Sequence, residues 1–129
     1  MPIKYLNAPD VKQKLDEIIE RLNLFYVSPQ SVYCYRSVGS KSRRIIARIH
    51  GFEKIWQLAL GLPPAYVIEV LSERFDKLSQ EEKEKTLIHE LLHIPMGFKG
   101  GFLPHKGNIS REKVDKLHRE YTHRRNHIY

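Results

Sequence analysis

Cysteine is nearly missing from this chain of 129 residues: Cys34 stands alone. One thiol cannot close an internal disulfide, which excludes a disulfide-stapled scaffold and suits a reducing compartment. Long apolar runs are missing too. No stretch approaches the roughly 18 residues of a membrane-spanning helix, so no membrane contact is expected. The opening Met1-Pro2-Ile3-Lys4 has no apolar signal core. A cytoplasmic location is the expectation from these three absences. Acidic residues are in the minority, with 15 Asp+Glu against 22 Lys+Arg and a net charge of +7. That balance is compatible with an anionic partner. Aromatic residues make up 10% and are sparsely interleaved with the basic ones, which weakens a case for base stacking on single strands. A hydrophobic content of 41% is that of an ordinary globular protein. The length suits one domain with a modest core. We place it at residues 1–122, followed by a basic tail at 123–129.

What is present centres on Thr86-Leu87-Ile88-His89-Glu90-Leu91-Leu92-His93-Ile94-Pro95. It contains His-Glu-x-x-His. On a helix, positions i and i+4 stack on one face. His89 and His93 can then offer two imidazoles to one metal ion, while Glu90 lies beside the ion as a base for an activated water. The flanks predict that helix. Ser79-x-x-Glu82 is a capping box. Glu81, Glu82 and Glu84 put negative charge in the first turns, where the helix dipole favours it. Leu87, Ile88, Leu91, Leu92 and Ile94 predict burial, and Pro95 ends the helix just past His93.

The other segments predict a small scaffold. Val11, Leu15, Ile18, Ile19 and Leu22 keep helical spacing and predict an amphipathic helix within residues 8–28, with Asn7 or Asp10 as its cap. Residues 31–36 and 45–49 alternate and flank Gly39-Ser40-Lys41-Ser42, so we read an antiparallel hairpin with Lys41, Arg43 and Arg44 at a basic tip. Ile55, Trp56, Leu58, Ala59 and Leu60 predict a short buried helix. Trp56 is expected in the core, with a pocket-lining role as its alternative. Cys34 is expected in the core as well. Tyr66–Leu71 reads as a strand. Were it an edge strand, its unpaired amides could hold an extended peptide across the metal. Ser110 should cap a last helix bearing Val114, Leu117 and Tyr121. The fold class is therefore α+β: a small, mainly antiparallel sheet of about three strands packed on an N-terminal helix and the His-Glu-x-x-His helix, with a C-terminal helix.

A catalytic zinc takes three protein ligands and keeps one position open. The loop from Pro95 to His105 has three glycines and ample length to return, so His105 is the expected third ligand, for one Zn2+ per chain. Glu112, Asp115 and His118 on the last helix are its rivals. Tyr121 and His118 are candidates for a second donor to an oxyanion.

Taken together, Tyr66-Val67-Ile68-Glu69-Val70, Ser72-Glu73-Arg74-Phe75-Asp76-Lys77-Leu78, His89-Glu90-Leu91-Leu92-His93-Ile94-Pro95, Gly100-Gly101 and Pro104-His105 resemble a family of metallopeptidases of archaea and phages. More distantly, the pattern is similar to the SprT-like zinc protease domain. The close resemblance runs from about residue 44 to 107. It implies a small zincin fold, metal at His89, His93 and His105, and Glu90 as base. Some SprT-like proteases cleave proteins crosslinked to DNA, so a link to DNA is also implied. The expected function is zinc-dependent hydrolysis of a polypeptide. DNA contact is expected through Lys41, Arg43, Arg44 and the basic C-terminal helix, where seven Lys+Arg face three Asp+Glu from Lys106 onward. Two other classes stay open: a zinc hydrolase acting on nucleic acid, and a basic DNA-binding module with a non-catalytic metal.

Overall fold

The computed structural model describes residues 2–95, 98, 100, 101 and 109–126. Val11, Leu15, Ile18 and Ile19 form the buried stripe of α1 (Pro9–Arg21). Neither Asn7 nor Asp10 caps it. Ala8 is the N-cap and makes no side-chain bond, and Pro9 begins the helix, where its missing N–H costs nothing. Asp10 instead accepts two bonds from the Arg36 guanidinium, at 2.6 and 2.7 Å.

Four strands make one sheet: β1 (Lys4–Asn7), β2 (Val32–Val38), β3 (Ala47–Gly51) and β4 (Tyr66–Leu71). Their order is β1-β2-β4-β3. The expected hairpin does not form. β2 and β3 are both strands, but β4 lies between them, parallel to β2 and antiparallel to β3. The reason is burial. β4 is nearly all apolar and buried on both faces, so it takes the centre, and the more polar β3 takes the edge. β4 therefore has no exposed edge for a peptide, and that role passes to β3. The sheet is mixed and has four strands rather than about three, within the α+β class expected.

One face of the sheet carries Val32, Cys34, Tyr66, Ile68 and Val70 into the core, against α1 and α4 (Gln80–Leu91), with α5 (Arg111–Asn126) packed on those two helices. Cys34 is buried there, and burial pushes its thiol up to about 12. α3 (Ser72–Phe75) closes the end of the sheet below Arg36, which also binds Asp76 at 2.9 Å. α5 runs to Asn126, past the boundary expected at residue 122, and Arg124 donates to the carbonyl of Arg21 at 2.6 Å.

α2 (Lys54–Leu60) is a helix as expected, but not a buried one. Ile55, Trp56, Leu58 and Leu60 are exposed, Trp56 at 54%, so Trp56 is not a core residue. The helix follows the edge strand, outside the layer formed by α1, α4 and α5. Only Gln57 is buried, and its amide donates to the Phe52 carbonyl at 2.7 Å. Among the described residues, no helix is long and apolar enough to cross a membrane.

Candidate metal centre

α4 is built as its sequence dictates. The Ser79 hydroxyl accepts from the Glu82 N–H at 3.1 Å, which fixes the first turn. Leu87, Ile88 and Leu91 are buried against the sheet and α1. The last turn tightens before Pro95: His93 N–H donates to Glu90 O, and Ile94 N–H to Leu91 O, both at 3.1 Å. These are i to i−3 bonds, the usual way a helix ends. His93 thus stands just past the last helical residue, with its ring one turn from that of His89. The ring centroids are 5.3 Å apart with planes at 68°. This is the stacking that the i, i+4 spacing predicts.

Glu90 is 7% exposed, and burial pushes its carboxyl up to about 8. A carboxyl in that state is charged only when a cation beside it offsets the burial. Two neighbouring imidazoles and an acid with that need fit a bound divalent metal. The chemistry of the donors fits as well, since neutral imidazole is a common ligand of zinc. Among the described residues, no cluster of three or more His, Cys, Asp or Glu is placed to hold a metal. His89 and His93 stand together as two potential donors, and His105, the expected third, lies outside the described residues.

The rivals for that third position are placed elsewhere. His118 is buried, with Nε2 2.8 Å from Glu84 Oε1. Asp115 Oδ1 pairs with Lys85 Nζ at 3.2 Å. Glu112 is exposed in the first turn of α5. None of the three joins the two histidines in a ligand set. Tyr121 is fully buried and donates to Glu17 Oε1 at 2.9 Å, while Lys14 Nζ donates to its hydroxyl at 3.3 Å. Tyr121 and His118 thus belong to a polar network between α1, α4 and α5, which removes the ground for casting either as an oxyanion donor.

His89 and Glu90 line a groove of about 770 Å³. Arg44, Ile45, Ile46 and Ala47, leading into the edge strand β3, form one wall. Ile109, Arg111 and Val114 form the other, and Lys85 and Thr86 extend the floor along α4. An extended segment laid in it would meet the edge of the sheet and the Glu90 carboxyl.

One anchor beyond α4 has no signal in the sequence pattern. The Tyr66 hydroxyl accepts from Gly100 N–H and donates to Gly101 O, both at 2.8 Å. Its ring packs edge-on against Phe98 at 5.1 Å. Gly100 has φ +92°, and a Cβ there would stand 2.1 Å from the Phe52 carbonyl oxygen. Only glycine fits. Gly100-Gly101 signals turning capacity in the sequence, and no local pattern ties it to Tyr66.

A family model described as "Putative phage metallopeptidase" matches residues 3–127. No curated protein and no solved structure matches the chain.

Proposed function

Because the chain belongs to the phage metallopeptidase family, we propose that it is a zinc-dependent endopeptidase, with His89, His93 and His105 holding the metal and Glu90 as general base. The observation that carries this reading is the adjacent pair of imidazoles, 5.3 Å apart, with the buried Glu90 between them in sequence and on the wall of a peptide-sized groove.

A divalent cation held by these imidazoles supplies Lewis-acid chemistry, acidifying a water and drawing electrons from the scissile carbonyl. The protein's own groups do the rest. The unpaired edge of β3 offers amide and carbonyl groups to an extended substrate, which fixes the scissile bond relative to α4. Glu90 takes the proton from the attacking water and hands it to the leaving amine. Its burial keeps bulk water away from that transfer. The SprT-like resemblance extends this reading to protein substrates held near DNA. The loop with Lys41, Arg43 and Arg44 would provide the contact, since Arg44 also lines the groove.

The test is Glu90→Gln. Metal content should stay at one ion per chain, and cleavage of an unfolded protein substrate should fall by at least a hundredfold. Turnover close to wild type in that variant would remove Glu90 from its role. Degradation of RNA by the wild-type protein, lost in chelator, would favour the nucleic-acid hydrolase instead.

A further inference from the structure

The side of the sheet facing away from the helices carries an aromatic and cationic pattern that the metal centre does not use. Strand register sets it out in rows. Tyr33, Val67 and His50 form one row across β2, β4 and β3; Asn7, Tyr35, Glu69 and Arg48 form the next; Tyr5, Ser37 and Leu71 form the third, in which Ser37 and Leu71 are buried and Tyr5 is exposed. Tyr5, Tyr33 and Tyr35 are 62%, 51% and 39% exposed. Residues two apart on a strand stand about 6.6 Å from each other, so Tyr33 and Tyr35 each present a separate ring. Beside Tyr33 opens a cavity of about 410 Å³, lined also by His50, Val67, Leu62, Pro63 and Pro64. That volume suits one planar ring system.

Glu69 lies buried in the middle of this face. Its Oε1 is 2.8 Å from His50 Nε2 and 3.2 Å from Arg48 Nε. Glu69 is 4% exposed, so it fixes the two side chains from beneath while presenting little charge outward. At the end of the sheet near Tyr5, the loop from β2 to β3 carries Lys41, Arg43 and Arg44, in a chain of net charge +7.

We propose that the exposed tyrosines of this face form a binding surface for single-stranded nucleic acid, with bases stacked on Tyr33 and Tyr35, one base seated in the cavity beside Tyr33 and His50, and the backbone running toward Lys41 and Arg43. Aromatic rings stack on any base, and cations track the phosphates. A second copy of the chain fits this face less well. The centre of a stable protein interface is apolar and depleted of charge, and here the centre is a glutamate under a histidine and an arginine. Tyr33 and Tyr35 are near neighbours in the chain, whereas Tyr5 is distant from them. Register and strand order bring the tyrosines of β1 and β2 together. The proposal does not rest on the peptidase reading, and a binding assay tests it apart from any cleavage.

The test uses the full chain and a fluorescein-labelled oligo(dT), read by fluorescence anisotropy at low salt. Wild type should bind, with affinity that falls as salt rises. The double variant Tyr33→Ala/Tyr35→Ala should bind at least tenfold more weakly, measured well below the thermal midpoint of either protein. Tyr33→Phe/Tyr35→Phe should retain binding, because the ring and not the hydroxyl carries the stacking. Three results would each overturn the proposal. One is no binding by wild type. Another is equal binding by the alanine double variant, which would leave only charge. The third is self-association of the chain that the alanine double variant abolishes, which would assign the face to a dimer.

Discussion

Glu84 shows how one side chain on α4 can serve structure alone. It sits on α4 among acids that the sequence assigns to the helix dipole, yet it is 2% exposed. Burial by itself would raise its carboxyl, but bonds from His118 and Lys14 outweigh that and hold it below the usual range. Lys14 Nζ lies 3.3 Å away. The charge is thus paired on two sides, and removing it strands both partners. Glu84→Ala should therefore cost about 3–5 kcal/mol of stability, read as a shifted urea midpoint. A loss near zero would mean that the network carries no weight. Arg36 offers a contrasting case at the surface. It bonds Asp10 and Asp76 together, and the bond from Arg36 lowers the Asp10 carboxyl to about 2. An ordinary Asp titrates near 3.9. The folded value is the lower one, so this contribution is present above about pH 4 and is lost as pH falls toward 2. Asp10 is largely exposed, so its size is under about 1 kcal/mol. Asp10→Asn should be slightly less stable than wild type at neutral pH and equal to it only below about pH 2. A gap that stays constant across that range would show that the pairing does not titrate as described.

At the scale of elements, local signals carried far and pairing signals did not. α1, α4 and α5 were legible because apolar spacing, Ser79, Ser110 and Pro95 act within a few residues of themselves. The Ser110 hydroxyl does accept from Lys113 N–H at 3.1 Å. The partnership of β2 was not legible. Alternation marks a strand but carries no information on which strand lies beside it. A short Gly-containing connection suggested a hairpin, while the burial demand of β4 decided the order. α2 shows the same limit in reverse: its apolar residues predict a core helix, and its place beyond an edge strand leaves them exposed. At the site, the paired histidines and Glu90 follow from spacing alone, whereas the Tyr66 clamp on Gly100 and Gly101 joins positions far apart in sequence. That clamp is testable. Tyr66→Phe leaves the Gly100 N–H without its partner in a buried place, which costs about 1–3 kcal/mol. The expected result is faster hydrogen exchange at Gly100 together with weaker metal retention, because the expected ligand His105 follows Gly101 by only four residues of chain. Unchanged exchange at Gly100 would show that the hydroxyl does not hold the loop.

For the whole molecule, the metal and the fold should be linked. A ligand that binds only the native state adds stability of RT ln(1 + [L]/Kd), about 4 kcal/mol at a thousandfold excess over Kd. Chelator-treated protein should therefore melt earlier than protein with zinc, and the zinc-induced gain should vanish in His89→Ala and in His93→Ala. The same measurement separates the candidates for the third ligand. His105→Ala should lose most of the gain while leaving the metal-free midpoint near wild type, because His105 is expected to serve the metal and not the core. His118→Ala should do the opposite, lowering the metal-free midpoint by breaking the bond to Glu84 while retaining the zinc-induced gain. Asp115→Ala should retain the gain too, since that carboxylate is engaged with Lys85. If His105→Ala kept the full gain and His118→Ala lost it, the third ligand would belong to α5. The buried network would then have to open for metal to bind, and α5 rather than the return loop would complete the site.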